Sequence, residues 1–390
     1  VADQRKIRVM VVDDSVVVRR VLCDIIAADP DLEVAGTAEN GVRALARLAD
    51  LNPDLITLDI EMPELDGLDT LVAIRKRLPR LPVIMCSTLT ARGAAATIDA
   101  LTRGASDYVT KPSNTGSMAE ARQVVRDELI PKIKALCARV GGGRPPGSGL
   151  RPMPAGAAGG AAPHPPASGV RTLPLTFPAA GPPAASWVRN HPPRTGTWRV
   201  DVVVIGVSTG GPNALAHLLP ALPPDLPVPV LVVQHMPPLF TAQLAARLAK
   251  ASRLPIREAA GGERLSPGQV WVAPGGYHLE VAPGAPGWAL RLQTEAAENS
   301  CRPAADVLFR TAVAAYAAGV LGVVLTGMGH DGLKGCEAIR AAGGQVLAQD
   351  EATSVVWGMP GSVARAGLAD KVLPLDQLAA DVARRVRVGR

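Results

Sequence analysis

The chain has 390 residues, room for two domains of ordinary size with sizeable cores, and its 47% hydrophobic content includes only 3% aromatic residues, so those cores must be aliphatic. Its five cysteines, Cys23, Cys86, Cys137, Cys301 and Cys336, are scattered without a Cys-x-x-Cys pair, which excludes a disulfide framework and a zinc centre and suits a reducing cytoplasm. The formal charge is +6, yet residues 141–200 carry Arg144, Arg151, Arg171, Arg189, Arg194 and Arg199 with no Asp or Glu. The excess therefore sits on a dispersed tether, whereas nucleic-acid binding needs charge clustered on a folded face. Asp13 and Asp14 break the first apolar run, and no stretch reaches about 18 uninterrupted apolar residues, so neither a secretory leader nor membrane insertion is expected.

Residues 1–139 alternate strand and helix patterns. Arg8–Val12 reads as a strand, and Ser15 caps a helix with Val16, Leu22, Ile25 and Ile26 on its apolar side. Strands at Leu32–Ala38, Leu55–Leu58, Val83–Ser87 and Tyr108–Thr110 follow, each succeeded by a helical stretch. Repeated units of this kind predict a doubly wound parallel sheet with ligands at the carboxyl ends of its strands. Asp13 and Asp14 close the first strand, Asp59 the third, Ser87 the fourth and Lys111 the fifth. Three carboxylates at one edge repel each other unless a cation sits among them, which points to Mg²⁺. With the metal screening it, Asp59 becomes a plausible phosphoryl acceptor, Lys111 a point positive charge and Ser87 a hydroxyl partner.

These stretches, Met10-Val-Val-Asp13-Asp14-Ser15, Leu58-Asp59-Ile-Glu-Met-Pro63 and Val109-Thr-Lys111-Pro112, resemble a response-regulator receiver domain. The resemblance implies that Asp59 is phosphorylated by a histidine kinase of the CheA type. It also implies that Asp13, Asp14 and the carbonyl of Glu61 complete the Mg²⁺ site, that Ser87 and Tyr108 switch, and that the bond before Pro112 is cis.

Residues 140–198 are rich in Pro, Gly and Ala without hydrophobic periodicity, and read as a flexible linker in which His164 and His191 are inert. Residues 199–390 predict a second doubly wound α/β layer with an antiparallel hairpin at Tyr277–Val281 and Trp288–Leu292. It opens on the β-branched strand Val202–Val207, which runs into Gly206-Val-Ser208-Thr-Gly210 and a helix starting near Pro212. Taken alone, this turn suits an exposed nucleophile, a phosphate cradle or a plain packed turn.

A serine nucleophile needs a base, and the base an orienting carboxylate. His235 follows the strand Val228–Val233, and Asp331 follows Gly322–Leu325 in a glycine-rich turn. The ends of parallel strands share one rim, so Ser208, His235 and Asp331 are expected to converge. Asp225 gives a competing order, but it precedes its strand and belongs to the opposite rim.

The motifs Ile205-Gly-Val-Ser208-Thr209-Gly-Gly211, Gln234-His235-Met236-Pro-Pro238, Leu325-Thr-Gly-Met328-Gly-His330-Asp331-Gly332 and Val356-Trp-Gly-Met359-Pro360 resemble the catalytic domain of CheB-type chemotaxis methylesterases. The resemblance implies a nucleophile at Ser208, a general base at His235, an orienting acid at Asp331, and Thr209 and Met328 near the oxyanion. His330 stands where a small polar residue is expected. The implied activity is hydrolysis of glutamate γ-methyl esters on chemoreceptors, with deamidation of receptor glutamines, by a monomer needing no cofactor for the ester chemistry. The rival reading is a phospho-switched adaptor that binds receptors without catalysis. The expected control is a receiver lying across the esterase rim until phosphorylation of Asp59 draws Ser87 and Tyr108 inward and loosens the contact.

Overall fold

The computed structural model describes residues 5–111, 118–138 and 199–389. The expected linker at 140–198, its two histidines and the bond before Pro112 lie outside the described residues. In the N-terminal unit, β1 (Ile7–Val12), α1 (Val16–Ala27), β2 (Leu32–Ala38), α2 (Gly41–Leu51) and β3 (Leu55–Asp59) lead into α3 (Gly67–Arg77), β4 (Val83–Ser87), α4 (Ala91–Thr102), β5 (Asp107–Thr110) and α5 (Met118–Cys137). The strands form one sheet in the order β2-β1-β3-β4-β5, every pairing parallel. Strands β3 and β4 are buried along their whole length, as parallel strands covered on both faces must be.

Helix α1 is capped as its sequence predicts, the Ser15 side chain accepting from the Val18 N–H. Its apolar face, however, begins at the half-buried Val18 and is fully buried from Val21: Val16 is 70% exposed and Val17 63%. The first two residues of the helix face outward, so the 3.6-residue period starts later than Val16 suggests.

The C-terminal unit comprises β6 (Val202–Val207), α6 (Gly211–Leu218), β7 (Val230–Gln234), α7 (Phe240–Ala251), β8 (Ile256–Glu258), β9 (Val270–Val272), β10 (His278–Pro283) and β11 (Trp288–Gln293). It continues through α8 (Ala305–Tyr316), β12 (Val320–Val324), α9 (Leu333–Ala341), β13 (Gln345–Gln349), α10 (Met359–Arg365), β14 (Lys371–Leu373) and α11 (Leu375–Val386). Seven strands pair in the order β14-β13-β12-β6-β7-β9-β8, all parallel, and β10 and β11 form the separate antiparallel hairpin. Strand β8, three residues at the sheet edge directly after Pro255, is absent from the sequence reading because so short a run shows no period.

The two units touch. Helix α4 of the receiver lies against α6 and α7, and the Tyr108 ring stacks on Phe240 with centroids 4.9 Å apart and planes 14° from parallel. Both rings are buried, so this stack adds about 0.5–1.5 kcal/mol beyond the area it removes from water. In this state the Tyr108 ring is buried by the second unit packed on its face.

Candidate active site and receiver pocket

Strands β12, β6 and β7 are neighbours in the sheet, so their carboxyl ends present Asp331, Ser208 and His235 side by side. The turn after β6 is built for close approach. Gly210 sits at φ +77° as the N-cap of α6, and a Cβ on Gly211 would fall 1.9 Å from the Gln234 side-chain oxygen. The His235 N–H donates to the Val207 carbonyl at 3.2 Å, tying the base to the residue before Ser208. The buried Gln234 amide donates to the carbonyls of both Ser208, at 3.0 Å, and His235, at 3.3 Å. Its role was not legible in the sequence, where it reads only as the residue between a strand and His235.

His235 Nε2 lies 2.8 Å from Asp331 Oδ2. The carboxylate is buried and held by the backbone N–H groups of Ala305 at 2.6 Å, Asp306 at 3.1 Å and Gly332 at 3.0 Å, and by the Asn299 amide at 2.8 Å. Burial works against its charge, but the His235 contact and these donors outweigh it and bring its pKa down to about 2. Burial likewise disfavours a charged imidazole, yet Asp331 and the Cys301 sulfur hold the His235 proton more tightly than a free imidazole would. The second ring nitrogen, Nδ1, faces Cys301 Sγ at 3.5 Å. Among the described residues no hydrogen bond joins the Ser208 hydroxyl to the imidazole. His330 is exposed, and Asp225 lies far from the site in an exposed ion pair with Arg387 at 2.9 Å. His278 is structural: it is buried, with Nδ1 accepting from the Ala304 N–H at 3.2 Å and Nε2 donating to the Ala296 carbonyl at 3.1 Å.

The structure puts Thr209 and Met328 against the receiver. The buried Thr209 hydroxyl donates to Asp107 Oδ2 at 2.8 Å, and Met328 packs with Val355 and Val356 onto the receiver's apolar residues. Arg247 of α7 reaches Asp99 of α4 at 3.3 Å.

At the receiver's own rim, Asp13, Asp14 and Asp59 offer carboxylate oxygens that all lie within 4.8 Å of one another. Lys111 Nζ stands 2.9 Å from Asp13 and 2.7 Å from Asp59. A cleft of about 190 Å³ is lined by Asp14, Asp59, Glu61, Ser87, Thr88 and Lys111. Burial is the main force raising the Asp59 pKa to about 6, Lys111 opposing it and the Asp13 charge adding to it. A cluster of hard oxygens in which one carboxylate resists ionisation fits a small divalent cation. The Glu61 N–H donates to Asp59 at 3.4 Å while its side chain turns out to Arg92. The Ser87 hydroxyl is buried and donates to the Gly93 carbonyl at 3.1 Å.

Residues 9–123 match the response regulator receiver domain family and residues 203–382 the CheB methylesterase family. A protein-glutamate methylesterase/protein-glutamine glutaminase of a Nocardioides species is 53% identical over 97% of this chain and 95% of its own length. A protein of the same name from Trichodesmium erythraeum is 47% identical over 98% and 99%. The chain belongs to the protein-glutamate methylesterase/protein-glutamine glutaminase family. The crystal structure of the Thermotoga maritima CheB methylesterase catalytic domain is 43% identical and covers 47% of this chain and 98% of that one, with a TM-score of 0.46. Family membership accounts for a hydrolase unit and a receiver on one chain, and among the described residues no helix is long and apolar enough to cross a membrane.

Proposed function

We propose that the chain removes methyl groups from glutamate γ-esters of chemoreceptors, and deamidates receptor glutamines, by Ser-His-Asp chemistry gated by phosphorylation of Asp59. The observation that carries this reading is the 2.8 Å contact between His235 Nε2 and the buried Asp331, one strand to either side of Ser208.

In the proposed reaction Ser208 Oγ attacks the ester carbonyl carbon and passes its proton to His235 Nδ1, the nitrogen turned away from Asp331, taking the place of Cys301 Sγ there. Asp331 fixes the ring and stabilises the imidazolium, as an orienting carboxylate does without itself taking the proton. The tetrahedral intermediate collapses, and His235 returns the proton to the departing methoxide as methanol leaves. Water then attacks the glutamyl-serine ester, His235 taking its proton and giving it back to Ser208. The Ser208 hydroxyl and Nδ1 must close up for this, and such hydrogen bonds commonly tighten only with substrate present.

For control, Asp13, Asp14 and the Glu61 carbonyl would hold Mg²⁺ beside Asp59, the cation screening the incoming phosphoryl group. The kinase is of the CheA type. Lys111 is positioned to bind a phosphoryl oxygen, and a shift of Ser87 toward the phosphoryl group would withdraw Tyr108 from Phe240. That strips away the face covering Thr209 and opens the rim to a receptor helix. The test is methanol release from methylated receptor membranes: Ser208→Ala should lower the rate by about 10³–10⁶-fold, and near-normal turnover would refute the nucleophile.

A further inference from the structure

We propose that Asn299 is the positioning residue of the esterase site: its one amide group holds two buried carboxylates apart, so that Asp331 stays charged and aimed at His235. This rests on the Ser-His-Asp reading above. Asn299 Nδ2 donates to Asp331 Oδ1 at 2.8 Å and to Asp306 Oδ2 at 2.9 Å. The primary amide has two hydrogens, one for each acid. Asp306 is fully buried on the first turn of α8, its other oxygen taken by the Gly335 N–H at 2.6 Å. Without Asn299 the Asp306 Oδ2 loses the donor it is shown with, and two buried carboxylates face each other. Burial first, and then the charge of Asp331, already raise the Asp306 pKa.

The chain around Asn299 is shaped to deliver that amide. Glu298 and Cys301 close a two-residue turn by exchanging backbone hydrogen bonds at 3.1 and 2.9 Å, and Asn299 and Ser300 sit at φ +53° and +61°. Asn tolerates that left-handed conformation better than other residues carrying a side-chain amide or acid of this reach. Arg310 of α8 clamps Glu298 through both carboxylate oxygens, at 2.8 and 2.6 Å. The same turn places Cys301 Sγ against His235 Nδ1. Beyond His235 and Asp306, the titratable and charged groups bearing on Asp331 are Glu298 with Arg310, and Cys336 of α9, while Cys301 touches the far side of His235.

The readout is the pH dependence of methanol release by the full-length, phosphodonor-activated protein. The rate rises as His235 loses its proton, and a firmly held Asp331 carboxylate keeps that midpoint high. Asn299→Gly preserves the left-handed backbone while removing the amide. Asp331 then loses the donor on its Oδ1 and turns away from the ring beside the Asp306 carboxylate, so the imidazole is held less tightly and the acid limb moves to lower pH by about one unit. The expected kcat falls about 100-fold with KM within twofold, the scale of a misplaced catalytic group. Adding Asp306→Asn removes one charge and restores an amide donor, so the double variant should recover at least about tenfold of that loss. Unchanged kcat and pH midpoint in Asn299→Gly would overturn the proposal. So would a loss of activity with an unmoved midpoint and no recovery in the double variant. Ser208→Ala measured alongside separates the two readings: if it stays active the nucleophile assignment fails, and if it is inactive while Asn299→Gly is normal only the role of Asn299 fails.

Discussion

The two rims of this molecule solve the problem of buried charge in opposite ways. At the receiver rim three carboxylates crowd within 4.8 Å, and the only cation in contact with Asp59 among the described residues is Lys111. Asp59 is left with a raised pKa, because burial and the neighbouring Asp13 charge outweigh Lys111. At the esterase rim Asp331 is surrounded by four donors besides His235, and its pKa falls. One rim gathers hard oxygen ligands around a single lysine; the other surrounds its carboxylate with hydrogen-bond donors. The lesson is that burial alone does not set the sign of a carboxylate's shift: the number and aim of donors does.

The sharpest way to break this contrast is Asp331→Asn. It should lower ester hydrolysis by about 10⁴-fold, because the amide favours the wrong imidazole tautomer, while leaving phosphoryl uptake by Asp59 intact. Methanol release and phosphorylation measured on one preparation would check it, and a loss of both would mean that the rims are not separate sites. A smaller effect is expected from Asp59→Asn. Basal hydrolysis should remain, while stimulation by a phosphodonor, a coupling on the order of 5–150-fold for typical two-site switches, should vanish. Persistent stimulation would place the acceptor elsewhere.

The receiver rim was almost wholly legible, because each of its groups is the residue at, or one or two beyond, the end of an apolar strand, and five β-α units put those ends together. The esterase trio was legible for the same reason, since β12, β6 and β7 turn out to be adjacent. Residues that support the trio were not. Asn299 comes from a turn following a hairpin rather than from a strand end, and its value depends on a left-handed backbone that no hydrophobic period reports. Gln234 acts through main-chain carbonyls, so its chemistry is invisible until two strands are paired. The stack of Tyr108 on Phe240 joins residues far apart in sequence, and nothing local to either residue announces the other. Local pattern carries strand ends well, but not the contacts between units.

The smallest expected effect concerns how the two rims are coupled. Asp107 lies on β5 beside Tyr108 and accepts the Thr209 hydroxyl at 2.8 Å, one residue from Ser208. Its other oxygen accepts from the Tyr108 N–H at 2.8 Å, and Lys132 approaches it at 3.7 Å, so the carboxylate remains supported within the receiver. Opening the rim must break the Thr209 bond in a buried place, where a hydrogen bond to a charged group is worth about 1.5–3 kcal/mol. Part of that cost is recovered when water enters, so a net shift of about 1 kcal/mol toward the open form is expected for Asp107→Ala, roughly a fivefold rise in unphosphorylated hydrolysis. Measured in an Asp59→Asn background, the rise cannot come from phosphorylation. An unchanged basal rate there would mean that the α4 packing and the Tyr108 stack hold the rim closed without help from this bond, and the coupling would then be apolar rather than polar.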